Sequence, residues 1–599
     1  MHPLKEFQEG QATNSELQAE LDFLRQRVDT SSSSHRSSTL PTAITNNSFQ
    51  PQNSSTPQSQ VSSLATSDGV SQGLPSMPVP SPGSLLPGPP LSGMNLFPPK
   101  PPAIDSSTTQ GQSLQDLTVD PRDIDGCFSL FFKHYLRYAP IFDTEMLPNE
   151  CYSLSPFLFW TIIAIGARRY SKDPTLILSL SSKVTKLAKN AIFATEKVLP
   201  TIQALILLCH WTMPVDTLQK DLTPMLAGGL LQLAQNVGLH VFGSAHDFSR
   251  VPLRYDAEQR SFRFKLWSIC LVVCQRTNNT RGLPPIIFQD TYGHAGFRED
   301  PCSLLPPGVL FQKKLSGLHS EANLAIQRDA LSQNTSDRAF VLQSTVDVWL
   351  ARLEQLGNDC PSKTDQFYLL NSRLAISTCN LLVPARYIAA GILIGMYDLA
   401  CSVIEVAQDL DEIEKFADYG PFSNHTVTLL AAFVILRIGK SHLRENMDQQ
   451  RGKRCFFATI AMSKRHSVRS DDIAARVSII LPQLFTSKMV IKGPDGTPDS
   501  LWLRCRSRLG FSILFDCLWL WRQEFGGQPE SYDRIPDEST ISKEPPVMNN
   551  DPAPLPENPL NLMGLDWSPE TLLQDFQWPQ IDDPFYTEWQ NMVNTSNQM

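Results

Sequence analysis

From Leu117 to Gly527 the apolar residues recur at intervals of three and four, and no segment alternates with a period of two. That rhythm is the buried stripe of helices laid against a core. Ile124, Cys127, Phe128, Phe131, Phe132 and Tyr135 form the first stripe, which Pro140 ends. Ser155 followed by Pro156 reads as an N-cap with proline in the first turn, opening a helix that runs to about Tyr170. Asp173-Pro174 opens another, through Leu176, Leu180, Val184, Leu187 and Ile192. Thr201 begins a third, stopped by Pro214, and Thr223-Pro224 a fourth that ends near Gly238. The same spacing predicts helices over 337–357, 365–382, 385–413, 424–445, 470–490 and 501–526. No fixed-length repeat is present, so a solenoid is not expected. The fold class expected is all-α: one large, irregular helical domain over 117–527.

The flanks have other compositions. In 1–29, Leu17, Leu21, Leu24 and Val28 follow a 4-3-4 spacing that places them on one helical seam, with Glu16, Glu20, Arg25 and Arg27 beside it. This reads either as a short dimerising coiled coil or as an isolated amphipathic segment, since two heptads fall short of the usual three or four. Residues 30–116 are rich in Ser, Thr, Pro, Gln and Asn, and from Thr30 to Gln115 only Arg36, Asp68, Lys100 and Asp105 are charged. Such a stretch buries too little apolar surface to offset its ordering entropy, so a disordered linker is expected. Residues 528–599 form a Pro-rich, then acidic tail. After Lys543 it holds nine acidic residues and no Lys or Arg, with Leu572, Leu573, Phe576 and Trp578 at near-helical spacing between Pro569 and Pro579. Acids interspersed with aromatics suit a disordered activation segment that offers its aromatics to a coactivator groove. The other reading is a tail that packs back on the helical domain.

A net charge of −9 argues against nucleic-acid binding by general electrostatics. The twelve cysteines include no Cys-x-x-Cys, and Cys270 and Cys274 lie in an apolar helical run as core thiols, so reduced cysteines are expected. Arg386, Asp398 and Arg437 interrupt the longest apolar runs, and no membrane partner is expected. Gly439-Lys440-Ser441 imitates the end of a phosphate loop, but Val434 stands where its first glycine is needed and no strand precedes it. His210, His240 and His246 form no metal-ligand spacing, and His240 and His246 read as surface or capping histidines. No catalytic, metal or cofactor residue is assigned, and no enzyme activity is expected. Arg451, Lys453, Arg454, Lys464, Arg465, His466 and Arg469 could contact phosphates. However, Cys455, Phe456, Phe457, Ile460 and Met462 interleave with them as in an amphipathic helix, which favours a solvated face.

Several segments, in order, carry a resemblance. They are Asp123-Ile124-Asp125-x-Cys127-Phe128 with Pro140-Ile141-Phe142-Asp143, then Phe159-Trp160 and Ile165-Gly166-Ala167-Arg168-Arg169. Leu233-Ala234-Gln235-Asn236-Val237-Gly238-Leu239-His240 follows, and then Arg263-x-x-Leu266-Trp267 ahead of Arg281-Gly282-Leu283-Pro284-Pro285. In this order they resemble the middle homology region of the fungal zinc binuclear cluster transcription factors, nearest the subgroup regulating leucine biosynthesis and weak-acid resistance. The resemblance implies transcription regulation in the nucleus, of metabolic or stress-response genes read by RNA polymerase II. It also implies a small-molecule effector, and a homodimer or a heterodimer with an intact relative. Promoter DNA would be reached directly or through that partner. Relatives hold two zinc ions through six N-terminal cysteines; no cysteine here precedes Cys127, so no zinc ligand is carried over and this chain alone is expected to bind no DNA with sequence specificity. The alternative is a helical small-molecule sensor or scaffold without direct transcriptional output, which would leave the acidic aromatic tail without a use.

Overall fold

The computed structural model describes residues 108–193, 196–242, 245–248, 256–286, 300–331, 337–493 and 496–526. Among them are sixteen α-helices and one two-stranded hairpin, which makes the class all-α.

The hairpin was not legible as strands. β1 (Gln112–Leu114) pairs antiparallel with β2 (Leu117–Val119), three residues each, too short for a period-two signal. The hairpin therefore reaches upstream of residue 117, into the stretch assigned to the linker by composition. Leu114 and Val119 anchor the hairpin in the core, and Asp116 at its turn pairs with Lys183.

The first helices follow their capping chemistry. α1 (Pro121–Leu130) buries Ile124, Cys127 and Phe128, and the stripe continues through a π turn that buries Phe131 and Tyr135, ending before Pro140. α2 (Pro148–Leu154) leads into α3 (Pro156–Ala167), where the Ser155 side chain accepts the Leu158 N–H at 3.3 Å. Every residue from Phe157 to Ala167 is buried, so α3 is an interior helix. It crosses α1 at Gly166, where a Cβ would lie 2.7 Å from the Cys127 Cα and carbonyl carbon; only glycine lets the two backbones meet. α4 (Leu176–Ala191) buries Leu180 and Val184.

α5 (Val198–His210) starts three residues before Thr201, because Lys197 takes a left-handed conformation (φ 52°) and ends the preceding loop there. α6 (Thr223–Asn236) stops at Gly238 (φ 67°), with Leu239 N–H returning to Ala234 O at 3.0 Å. α7 (Ala257–Thr280), capped by Asp256, ends at Gly282 (φ 61°).

α8 (Pro307–Ala325) had no counterpart in the periodicity reading. α9 (Arg338–Gly357) and α10 (Lys363–Ser377) match theirs closely, α10 passing into a 3-10 turn to Leu382. α11 (Ala390–Glu414) starts five residues later than expected. α12 (Phe416–Tyr419) is a single turn. α13 (Phe422–Gly439) is buried without interruption from Val427 to Ile438 and packs against α7, α11, α14 (Gln449–His466) and α16 (Ser512–Phe525). α15 (Ile473–Thr486) lies on α14.

Helix was expected across 501–526, but 501–508 is irregular chain. The backbone amides of Arg504 and Cys505 bond the Asp516 carboxylate at 2.7 and 3.0 Å instead of a helical ladder. α11 and α13 are long and apolar enough to cross a membrane by length and composition, a correction to the expectation that the interrupting charges leave both runs too short for that. Their interrupting charges are matched: half-exposed Asp398 pairs with Arg451, and buried Arg437 with Asp516.

All twelve cysteines are free, and Cys270 and Cys274 are buried as expected. Burial pushes the Cys274 thiol up to about 12.

Candidate functional site

The seam residues Leu17, Leu21, Leu24 and Val28 and the tail residues Leu572, Leu573, Phe576 and Trp578 lie outside the described residues.

The basic cluster sits on and just beyond α14, and three of its four arginines, Arg451, Arg465 and Arg469, pair with carboxylates. Arg451 forks onto Glu405 (Nε–Oε1 2.8 Å, Nη2–Oε2 2.7 Å) and reaches Asp398 at 3.1 Å. The bidentate pair holds the Glu405 carboxyl below its usual range. Arg465 pairs with Asp411 and Asp418, and Arg469 with Asp471. His466 is buried, stacked on His425 with ring centroids 5.0 Å apart. Cys455, Phe456, Phe457, Ile460 and Met462 are all buried. The helix is amphipathic as expected, but Arg451, Arg465 and Arg469 on its polar side are knitted to carboxylates, which leaves these three committed rather than aimed at phosphates.

His240 is not a surface or capping residue. It is half-buried between Phe248 and Trp267, with ring centroids at 4.8 and 5.9 Å, and burial lowers its pKa. His210 is buried with Nδ1 3.0 Å from Ile206 O, and burial lowers its pKa to about 4. The His246 side chain lies outside the described residues. Among the described residues no three His, Cys, Asp or Glu side chains converge as a metal site.

The motif segments meet in space. Arg263 donates to Val237 O at 2.5 Å, closing the C-terminal end of α6 beside Gly238. Arg168 donates to Thr212 O at 2.9 Å. Arg169 fans out to Asp418 O and Ser467 O, both at 3.1 Å, and to Arg465 O. At Gly282 a Cβ would sit 2.7 Å from the Arg508 carbonyl carbon, and Arg508 in turn donates to Arg281 O at 3.0 Å.

One cavity stands out, and local sequence gave no signal for it. Between the end of α13, the first turns of α14 and the loop after α15 the helices leave a cleft of about 1030 Å³. Tyr397, Ile435, Phe456, Phe485 and Trp502 supply apolar wall. Gly452 lets Tyr397 lie on the α14 backbone, where a Cβ would come within 2.6 Å of the Tyr397 Cζ. Arg386, Lys440, Arg444, Lys453 and Lys488 bring cations to the same cleft from four separate stretches of chain. Lys440 belongs to the Gly439-Lys440-Ser441 sequence, at the C-terminal end of α13 with no strand before it. Its Nζ donates to Leu484 O at 2.8 Å and Ser487 O at 2.9 Å, tying α13 to the last turn of α15. Burial lowers its pKa.

Arg437 also borders the cleft, but its charge is spent internally. The side chains of Arg437 and Asp516 are 2% and 1% exposed, which is why a 2.6 Å contact between them is decisive rather than incidental. Arg437 also donates to Trp502 O at 2.6 Å and to Ser500 O, so it pins the loop that forms the cleft's outer wall. Burial pulls its pKa down, and the Asp516 carboxylate outweighs this and leaves it raised.

Residues 128–374 match the fungal specific transcription factor domain. The match covers about two fifths of the chain. The matched stretch begins in α1 and ends in α10, so the cleft lies in the helices that follow it. The regulatory protein LEU3 of Saccharomyces cerevisiae is 20% identical over 475 residues, which is 69% of this chain and 53% of LEU3. The transcriptional regulatory protein SEF1 of Candida albicans is 28% identical over 181 residues, 30% of this chain and 20% of SEF1. A SEF1 transcription factor of Eremothecium gossypii is 33% identical over 157 residues, 26% of this chain and 15% of that protein. The chain thus spans about half or less of the length of these relatives. No solved structure matches it.

Proposed function

We propose that this protein is a nuclear transcription regulator of metabolic or stress-response genes, acting on RNA polymerase II promoters directly or through a dimer partner. The observation that carries this reading is the fungal transcription factor domain at 128–374, together with similarity to LEU3 across 69% of the chain. In this reading the helical domain receives a small-molecule signal. The acidic tail delivers the output through Leu572, Leu573, Phe576 and Trp578, and the seam of Leu17, Leu21, Leu24 and Val28 joins two copies, or this chain to an intact relative.

The output is tested by fusing residues 544–599 to an unrelated DNA-binding domain and measuring a reporter gene. Phe576→Ala with Trp578→Ala should reduce expression more than Asp582→Asn with Asp583→Asn. The aromatics supply affinity in a coactivator groove, while the acids mainly speed encounter. Equal output from the unchanged and the aromatic-substituted fusion would sink the activation role. For the seam, Leu21→Glu with Leu24→Glu should move the sedimentation coefficient of the full chain toward that of a monomer. If both forms already sediment as monomers, the seam is no interface.

A further inference from the structure

We propose that Cys401 and Cys455 form an oxidation site, at which a hydroperoxide converts the two thiols into a disulfide that clips α11 to α14. This site goes beyond the transcriptional reading and needs no promoter, effector or partner.

The first argument is where the two helices meet. Cys401 lies in the middle of α11 and Cys455 in the second turn of α14, 54 positions away. The Cys455 Sγ is 3.8 Å from the Cys401 carbonyl oxygen, and the two thiols hydrogen-bond one another. Contacts one turn to either side of Cys401 hold this spacing. Before it, the Tyr397 hydroxyl donates to Asp448 O at 3.1 Å, and Gly452 lets the Tyr397 ring lie on the α14 backbone. After it, Glu405 takes the bidentate grip of Arg451, whose Nη2 also donates to Ser402 Oγ at 3.1 Å. A disulfide tolerates little displacement of the backbones it joins, so a pair already clamped in contact is one that can close.

The second argument is that the two thiols are chemically unequal. The hydrogen bond with Cys401 lowers the Cys455 pKa, and with Arg451 and Arg454 it outweighs burial and the Glu405 charge, which raise it. The same contact, with burial, pushes the Cys401 thiol up. The thiolate is the nucleophile, and a thiol beside it can resolve the product. The Cys455 thiolate attacks an oxygen of the hydroperoxide, and the O–O bond breaks. Cys455 becomes a sulfenic acid, and the departing alkoxide or hydroxide takes up the proton that Cys455 gave. Cys401 then attacks the sulfenic sulfur, the S–O bond breaks, and the hydroxyl leaves as water with the Cys401 proton. Two thiols are oxidised to one disulfide, and the hydroperoxide is reduced to an alcohol, or water, and water.

The third argument is depth. Both thiols are buried, yet the ion pair that acts on them, Arg451 with Glu405, keeps side chains 25% and 43% exposed. Partly exposed pairs of this kind are held weakly, so a small oxidant has only such a pair to pass. A bulky one, such as oxidised glutathione, is kept out. In a reducing compartment the link is transient, which is how redox-sensing disulfides behave.

The test uses the purified full chain, reduced and then exposed to hydrogen peroxide without denaturant. Remaining thiols are alkylated, and tryptic peptides are read by mass spectrometry. Residues 387–415 and 455–464 carry one cysteine each, so the link appears as these two peptides joined, and dithiothreitol abolishes it. It should outnumber any link through the half-exposed Cys302 or Cys360 at least about fivefold, because contact rather than exposure decides. Hydrogen peroxide should form it faster than oxidised glutathione does. In Cys401→Ser, dimedone should trap a sulfenic acid at Cys455; in Cys455→Ser, Cys401 should be trapped at least about fivefold less. The linked chain should also melt a few degrees above the reduced one, since the bridge restrains the unfolded chain without straining the fold. Absence of the joined peptide, links scattered over the other cysteines, or a linked form that melts below the reduced one overturns the proposal. Equal trapping at the two positions overturns the order of attack. The joined peptide is read on the unsubstituted chain, so it decides the matter even where a serine variant fails to fold.

Discussion

Replacing Arg437 with Met will destabilise the protein by about 3–5 kcal/mol, the cost of removing one partner from a buried ion pair. The remaining Asp516 would be a carboxylate in the interior with two backbone N–H donors and no countercharge. The carbonyls of Ser500 and Trp502 would also lose their donor, freeing the loop between α15 and α16. Many buried ion pairs can be replaced on both sides by apolar residues with little loss. This pair should behave differently. Adding Asp516→Leu to Arg437→Met strips the acceptor from the Arg504 and Cys505 amides, so the double variant should recover little of the lost stability. Urea unfolding of the full chain, followed by far-ultraviolet circular dichroism, measures both. A loss below about 1 kcal/mol for the single variant, or near-complete recovery in the double, would show that the pair does not organise this region.

Gly166→Ala should cost about 3 kcal/mol or more, at the high end for overpacked cores. The added methyl would meet the backbone of Cys127, not a side chain that can rotate away, so α1 and α3 must separate along their whole contact. Gly228→Ala is the matched control. It lies in the middle of α6 with nothing within 4 Å of the added carbon, and should be neutral or stabilising by up to about 1 kcal/mol through helix propensity. The difference between the two urea midpoints is the readout. Equal midpoints would falsify the close crossing.

The helices from Ser155 to Gly238, apart from the start of α5, were legible because their ends are written locally, in the Ser155 cap, in prolines near the first turn and in a glycine with positive φ. Residues 501–508 misled for the opposite reason. Leu501 and Leu503 are buried, which keeps the apolar spacing of a helix, while a carboxylate eleven or more residues away takes their neighbours' amides. Arg437 reads in sequence as a charge that interrupts an apolar run, because the partner that permits its burial is 79 positions distant. The cleft was invisible for a related reason. Arg386, Lys440, Arg444, Lys453 and Lys488 are scattered over about a hundred positions, and the basic cluster legible in sequence, on α14, is largely the one the fold neutralises.

The fan of Arg169 has a consequence for how the chain is made. Its acceptors, at Asp418 and beyond, are encoded at least 249 residues downstream, and Gly282 likewise waits for Arg508. At translation rates of about 5–20 residues per second, Asp418 is polymerised roughly 12–50 s after Arg169. Over that interval the helices around Arg169 are made with their C-terminal supports still unmade, a period in which chaperones, rather than those supports, cover their apolar faces.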